Sequence, residues 1–215
     1  MNGLTDTAVS GRLDWDALYR EGTPPWETGL PAAELLRALD EGLVRPCVML
    51  EIGCGTGADA VELVKRGFEV TAVDSSPTAI ERARVRADFE DALPRFVLAD
   101  IFDFAPMAGQ FDFVYDAGLY PFVRQHDLSR YLDVLWRVTR PGSLFLTLAG
   151  ALGDAAEGRV PAEGGRPRLS KRQIYLDLGR LFETVRLTNC RLESPLHKAG
   201  YPAWSCLMRR PVLGQ

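Results

Sequence analysis

Four carboxylates and three glycines carry most of the chemistry available to this chain. The run Val48 to Ala60, VMLEIGCGTGADA, places Gly53, Gly55 and Gly57 between an apolar stretch and a helix start, with Glu51 inside the apolar stretch. Glycine tolerates positive φ and lets a ligand approach the backbone without meeting a Cβ. Strand, glycine loop and helix in that order make a nucleotide-type fingerprint. The spacing, however, is G-x-G-x-G. A dinucleotide site has G-x-G-x-x-G and offers pyrophosphate a helix N-terminus. An acid such as Glu51 at the end of the strand repels pyrophosphate and attracts an ammonium or a sulfonium. Asp74 ends the next apolar run, where a carboxylate accepts both hydroxyls of a ribose. The competing use of an Asp there is as a helix cap, and Ser75-Ser76-Pro77 supplies rival caps. Asp100 and Asp116 follow at the ends of two further apolar runs. Like charges crowded along one rim need partners, and a polar cation is a suitable one.

Beyond this rim stand Tyr120 and His126, just past the strand that ends near Asp116. Ligands of open α/β sheets bind outside the carboxyl ends of the strands, so both are candidates for an acceptor pocket. Packing is the alternative for Tyr120, and a surface or capping position for His126; Pro121 beside them cannot act as a base. Trp15, Tyr19 and Trp26 lie in a Pro- and Gly-rich N-terminal stretch, where their rings need somewhere to bury. They are read either as an arm packed on the domain or as a lid over a ligand. Cys47, Cys54, Cys190 and Cys206 form no C-x-x-C pair, and the histidines are His126 and His197, so neither a disulfide framework nor a zinc site is expected. Cys54 reads as a small apolar side chain in the glycine loop rather than a nucleophile. His197, beside Lys198, reads as solvated.

The elements that must position these residues alternate in the βαβ manner. A short helix is expected over Asp14 to Arg20 and another over Pro31 to Gly42. Strands are expected at Cys47–Ile52, Phe68–Val73, Phe96–Leu98, Phe111–Tyr115 and Ser143–Leu148. Between them come helices over Ala58–Arg66, from Pro77 to about Asp88, and over Leu128–Thr139, the last ended by Pro141-Gly142. After an irregular stretch, Gly150 to Ser170, come a helix capped by Ser170 and two strands, Phe182–Leu192 and Tyr201–Arg209, as an antiparallel pair. Arg159, Arg166 and Arg168 in the irregular stretch are either exposed or set to meet an anionic group of a substrate. The fold class is therefore α/β: a Rossmann-like, mostly parallel seven-stranded sheet with helices on both faces and an antiparallel C-terminal strand pair.

The chain has 215 residues, 47% of them hydrophobic and 25% charged, which fits one globular domain of residues 1–215. Within it, residues 1–30 serve as the lid and 150–170 as a substrate-side loop. A formal charge of −4 lacks the positive field of a nucleic-acid or anionic-membrane binder. No apolar run reaches the length of a spanning helix, and the N-terminus lacks a signal peptide's basic start and apolar core. The expected setting is cytoplasmic, as a monomer or weak homodimer, with a small-molecule substrate.

With Glu51-Ile52-Gly53-Cys54-Gly55-Thr56-Gly57 in place, the chain resembles the class I S-adenosylmethionine-dependent methyltransferases, whose E/D-x-G-x-G-x-G loop wraps the methionine end of the cofactor. The resemblance implies that Asp74 holds the ribose with Ser75 beside the adenosine, that Asp100 accepts from the adenine amino group, and that Ile101 lies close to the ring. Asp116-Ala117-Gly118-Leu119 lacks the polar residue before Pro-Pro-Tyr of methylases acting on bases or amides. The layout is most similar to the thiopurine S-methyltransferase-like branch. Trp15, Tyr19, Gly22, Pro25-Trp26 and Gly29 match its W-x-x-x-Y-x-x-G-x-x-P-W-x-x-G signature. Phe111-Asp112 to Leu119 match its F-D-x-V-x-D-x-G-L segment, and Val138 to Gly142 its V-x-R-P-G pattern. In such relatives Tyr19 and Trp26 close over the cofactor. Where bacterial relatives carry a His after the position of Tyr120, this chain has Pro121.

The implied reaction is in-line methyl displacement, in which the enzyme aligns reactants and excludes water. A thiol ionises without a strong base, which favours sulfur as acceptor. N- or O-methylation of a small heterocycle or natural-product intermediate is the alternative, and a non-catalytic cofactor-binding protein is a third reading. The expected cofactor site comprises Trp15, Tyr19, Trp26, Glu51, Gly53, Gly55, Gly57, Asp74, Ser75, Asp100, Ile101 and Asp116. Tyr120 and His126 are the expected catalytic residues.

Overall fold

The computed structural model describes residues 8–9, 12–152, 167–196 and 198–212. A small hairpin of β1 (Ala8–Val9) and β2 (Arg12–Leu13) leads into α1 (Trp15–Arg20), whose first turn Asp14 caps by accepting from the amide of Ala17 at 3.0 Å. Helix α2 (Ala33–Asp40) then precedes the sheet. Strand β3 (Val48–Ile52), α3 (Ala58–Lys65), β4 (Glu69–Asp74), α4 (Pro77–Phe89) and β5 (Arg95–Leu98) form the first half. The second half is β6 (Phe111–Ala117), α5 (Tyr120–Val138), β7 (Thr139–Gly150), α6 (Lys171–Leu178), β8 (Glu183–Leu192) and β9 (Tyr201–Arg209).

The strand order is β5-β4-β3-β6-β7-β9-β8. The first five strands are parallel, and β9 runs antiparallel between β7 and β8. Strand β3 is central, with β4 and β5 on one side and β6 and β7 on the other. That reversal of winding opens a crevice at the carboxyl ends of β3 and β6, the place where such sheets hold ligands.

Alternation along the buried strands divides the core into two layers. Leu50, Ile52, Val73, Val114 and Phe145 face a layer closed by Leu135 and Tyr131 of α5 and by Ile174 and Leu178 of α6. Met49, Val70, Ala72 and Phe113 face the other, closed by Leu35 of α2, Leu63 of α3 and Ile80 of α4. Helices thus cover both faces, as the alternating pattern predicts.

One element differs. The helix expected from Leu128 is preceded by a helical segment starting at Tyr120, and the two are separated by non-helical backbone at Asp127, φ −158° and ψ 81°. Asp127 accepts from the Arg130 amide at 2.9 Å and so caps the second segment. The Tyr120 segment carries apolar and polar residues without a clean period, so its sequence gives no helical signature. Its N-terminus is instead held from outside, by Asp116.

Candidate active site

A cavity of about 750 Å³ lies at the carboxyl ends of β3, β4, β5 and β6, beneath the segment Trp15 to Leu30. Of the residues expected from sequence, Trp15, Tyr19, Trp26, Glu51, Gly53, Gly55, Asp74, Ser75, Asp100, Ile101 and His126 line it.

The glycine loop shapes its floor. Gly55 has φ +53°, and a Cβ there would sit 2.8 Å from the Tyr19 hydroxyl. The loop therefore needs glycine both for its backbone and for the approach of the segment above it. Gly57 does a different job and is not on the cavity wall. A Cβ on it would lie 2.9 Å from the Phe96 ring and 3.0 Å from the Ala83 Cβ, so this third glycine lets α3 pack closely against β5 and α4.

The carboxylates are poised for a cation. Asp74 is held by the amides of Gly55 and Ser76, both at 2.9 Å, yet burial raises its pKa. Glu51 is only 3% exposed, and its Oε2 has no hydrogen-bond partner. Burial, reinforced by Asp59, Asp74 and Glu27, pushes its pKa well up. A buried, unpartnered carboxylate oxygen on the wall of a cavity is costly unless a positive or donating group meets it. The ammonium and sulfonium of S-adenosylmethionine are such groups, and the acceptor set fits them: Glu51 and Asp74 at the ends of two strands, Asp100 just past the next.

Two expected residues are placed elsewhere. Asp116 is fully buried beneath the strand end. Its Oδ1 accepts from the amides of Leu119 (2.8 Å) and Tyr120 (3.1 Å), and its Oδ2 from the Tyr131 hydroxyl (3.3 Å). It thus anchors the start of α5 instead of lining the cavity, and burial raises its pKa to about 6. Tyr120, also fully buried, stacks on Tyr131 at 6.1 Å and donates its hydroxyl to Asp177 Oδ2 at 2.7 Å. Arg124 pairs with the same carboxylate. Because α5 begins at Tyr120, the ring turns inward and Leu119, Pro121, Phe122 and Val123 face the cavity in its place.

Three residues escaped the sequence reading. Glu27, directly after Trp26, lines the cavity and accepts from the amides of Gly29 (3.2 Å) and Thr56 (3.3 Å). Asp59, two residues past Gly57, accepts from Ala32 N at 2.7 Å and from the Tyr115 hydroxyl at 3.1 Å, and loss of solvent raises its pKa to about 6. An acid adjoining each motif was the available signal for both. Asp177 had none, since its link to Tyr120 spans 57 residues.

The segment above the cavity is tied to α4 along one side. Asp16 accepts from Ser76 Oγ (2.7 Å) and the Thr78 amide (3.0 Å). Arg82 donates to the carbonyls of Tyr19 (2.7 Å) and Gly22 (2.9 Å). One turn further, Arg86 donates to the carbonyls of Thr56 (2.9 Å) and Gly29 (3.0 Å), bridging cap and glycine loop. The cap's rings interlock edge-to-face: Trp15 with Trp26 at 5.7 Å, Trp26 with Tyr19 at 6.3 Å, and Trp15 with Phe122 of α5 at 5.1 Å. Trp26 also donates its indole N–H to the Tyr19 hydroxyl at 3.1 Å. Arg159, Arg166 and His197 lie outside the described residues; Arg168 is on the cavity wall. Among the described residues no helix is long and apolar enough to cross a membrane, and no His/Cys/Asp/Glu group is arranged to hold a metal.

Comparison with known proteins agrees with this geometry. Residues 49–142 match the family model described as a methyltransferase domain. The chain is 33% identical over 127 residues to a 2-heptyl-1-hydroxyquinolin-4(1H)-one methyltransferase of Mycobacteroides abscessus, covering 58% of this chain and 55% of that one. It thus spans about half the length of that relative. A probable thiol methyltransferase of Arabidopsis thaliana is 25% identical over 183 residues, covering 83% and 77% of the two chains. Among solved structures, one from a study of the conversion of a disulfide bond into a thioacetal group during echinomycin biosynthesis superposes with a TM-score of 0.78. It is 27% identical and 93% of each chain is covered. No narrower branch of the methyltransferases stands out.

Proposed function

We propose that this chain, whose fold and cofactor cleft are those of the class I S-adenosylmethionine-dependent methyltransferases, transfers a methyl group to a sulfur atom of a small molecule. The carrying observation is the wall where β6 gives way to α5. Ala117, Gly118, Leu119, Pro121, Phe122 and Val123 line it without a side chain able to take a proton. Tyr120 and Asp116, which might have done so, are committed to buried hydrogen bonds. An acceptor meeting such a wall needs its own available lone pair, and sulfur supplies one at neutral pH with the least help.

When bound, S-adenosylmethionine would supply a methyl carbon on a sulfonium, with a neutral thioether as the leaving group for the acceptor's lone pair. Glu51, Asp74 and Asp100 hold the cofactor, with Ser75 and Ile101 beside the adenosine. Tyr19 and Trp26 cover it, and the interlocked rings keep water from the reacting atoms. The protein's share is alignment and exclusion of water. The likeness to the thiopurine S-methyltransferase-like signature and to a plant thiol methyltransferase supports sulfur.

One observation favours nitrogen or oxygen acceptors as a second reading. His126 lines the cavity at the end of the first segment of α5, where an imidazole can accept a proton. The hydroxyquinolone methyltransferase acts on a heterocycle, in keeping with that reading. A screen of aryl thiols, phenols and heterocyclic amines with the cofactor, repeated on His126→Gln, separates the two. Under the sulfur reading thiols turn over, and His126→Gln changes their rate less than threefold. Turnover confined to phenols or amines, falling about a hundredfold in His126→Gln, would establish the second reading instead.

A further inference from the structure

Four of the cavity's carboxylates lie together, while Arg168 and Glu193 also line it. Glu51 feels Asp59, Asp74 and Glu27 as its strongest neighbours, which places these four carboxylates together around the glycine loop. The other end is built differently. Leu119, Phe122 and Val123 come from the start of α5, and Leu192, Glu193, Leu196 and Pro202 from β8, β9 and the turn between them, with Arg168 also on the wall. Two large apolar side chains stand open on the rim, Leu30 at 72% exposure and Leu196 at 67%. Leu30 stands on the carboxylate side, since Ala32 two residues on donates to Asp59, whereas Leu196 borders the cavity from the β8–β9 turn. Phe122 extends that wall into the cap through its edge-to-face contact with Trp15 at 5.1 Å.

Size points the same way. A nucleoside joined to an amino acid takes up on the order of half of a 750 Å³ cavity, which leaves space for a second molecule of comparable bulk. A hydrosulfide, halide or thiocyanate ion would leave most of that space filled with water against apolar walls. A ring-bearing acceptor displaces that water and gains the burial free energy.

From these walls we infer that the acceptor is a bulky, apolar, ring-bearing organic molecule and not a small inorganic anion, with Phe122 and Leu196 as the residues that set this preference. The inference rests on the methyl-transfer reading. In the step itself, the acceptor sulfur's lone pair forms the S–CH3 bond, and the cofactor's C–S pair returns to its sulfur, giving S-adenosylhomocysteine. A thiol acceptor releases its proton to water.

The test measures S-adenosylhomocysteine formation with thiophenol, 2-naphthalenethiol, hydrosulfide, iodide and thiocyanate, together with calorimetric binding of phenol and 2-naphthol to the protein loaded with S-adenosylhomocysteine. A second fused ring should raise kcat/KM, or binding where nothing is turned over, on the order of tenfold. The three inorganic anions should fall at least a hundredfold below thiophenol. Leu196→Asp, at an exposed position, should remove most of the naphthyl-over-phenyl preference while S-adenosylhomocysteine binds as in the parent; Phe122→Ala should do the same to a lesser degree. Turnover of the inorganic anions equal to that of thiophenol, or equal binding of phenol and 2-naphthol, would overturn the inference and leave methyl transfer standing. Failure of the protein to bind S-adenosylhomocysteine would defeat the underlying reading instead.

Discussion

The two ends of the cleft are assembled by opposite means. At the cofactor end, Glu51, Asp74 and Asp100 sit at or just past the ends of three strands, within a parallel sheet whose register fixes their spacing. At the acceptor end, the wall is pooled from the cap, the start of α5, the residues just before α6 and the β8–β9 hairpin. The first is polar, partly unpaired and dependent on backbone geometry. The second is apolar in the main, with Arg168 and Glu193 among its residues, and dependent on tertiary packing. The same sheet can thus keep one cofactor while its loops vary what is methylated.

Substitutions at the cofactor end should separate binding from stability. Glu51→Gln removes a buried carboxylate whose Oε2 lacks a partner, so the free protein should melt at an equal or higher temperature. The same change should weaken S-adenosylmethionine binding about a hundredfold, by loss of a charge-assisted contact. Calorimetry and thermal melting together check both signs. A lower melting temperature with unchanged binding would mean that Glu51 is structural.

Asp116 sharpens the contrast, because its carboxylate holds the start of α5 and the Tyr131 hydroxyl. Its folded pKa, about 6, lies above its ordinary value of 3.8. The folded state therefore binds the proton more tightly than the unfolded chain. The stabilisation is complete below about pH 4 and is lost as pH rises through about 6. Relative to Asp116→Asn, the wild type should lose up to about 3 kcal/mol of stability between pH 4 and pH 7. Urea unfolding at several pH values measures this; parallel pH profiles for the two proteins would refute it.

The cap joins the two ends, and α4 is what holds it. Arg86→Met unties Gly29 from Thr56, and Arg82→Met frees Tyr19. Each should raise the Kd for S-adenosylhomocysteine about tenfold, the cost of charge-assisted hydrogen bonds in a partly buried site. Tryptophan emission should shift red as Trp15 and Trp26 meet water. Arg84→Met, on the exposed side of the same helix, should change neither quantity.

The smallest effect on binding is expected from Tyr120→Phe. It deletes one hydrogen bond to Asp177 and leaves Arg124 paired with that carboxylate. Stability should fall by about 1 kcal/mol and cofactor affinity should not change. A large loss of cofactor affinity would return Tyr120 to the cleft.

The sheet and the cofactor end were legible because their signals are local. Strand, glycine and helix follow one another within Val48–Ala60, and each acid stands at or just past the end of its strand, so period and punctuation suffice. Asp116 and Tyr120 turn away from the cavity for one reason. Their direction depends on where α5 begins, and that start is fixed by contacts with Tyr131 and Asp177, residues far along the chain. Glu27 was visible as an acid beside Trp26, but its place on the Thr56 amide depends on how α4 draws the cap inward.

By itself, then, the sequence determined the alternating architecture, the strand-end carboxylates and the glycine loop, since periodicity and φ preference act over a few residues. The tertiary structure alone decided which side chains turn into the cavity and which turn away, and how the cap is tied to α4. Those outcomes depend on contacts between segments tens of residues apart, where the close packing of the core decides which way a side chain can turn.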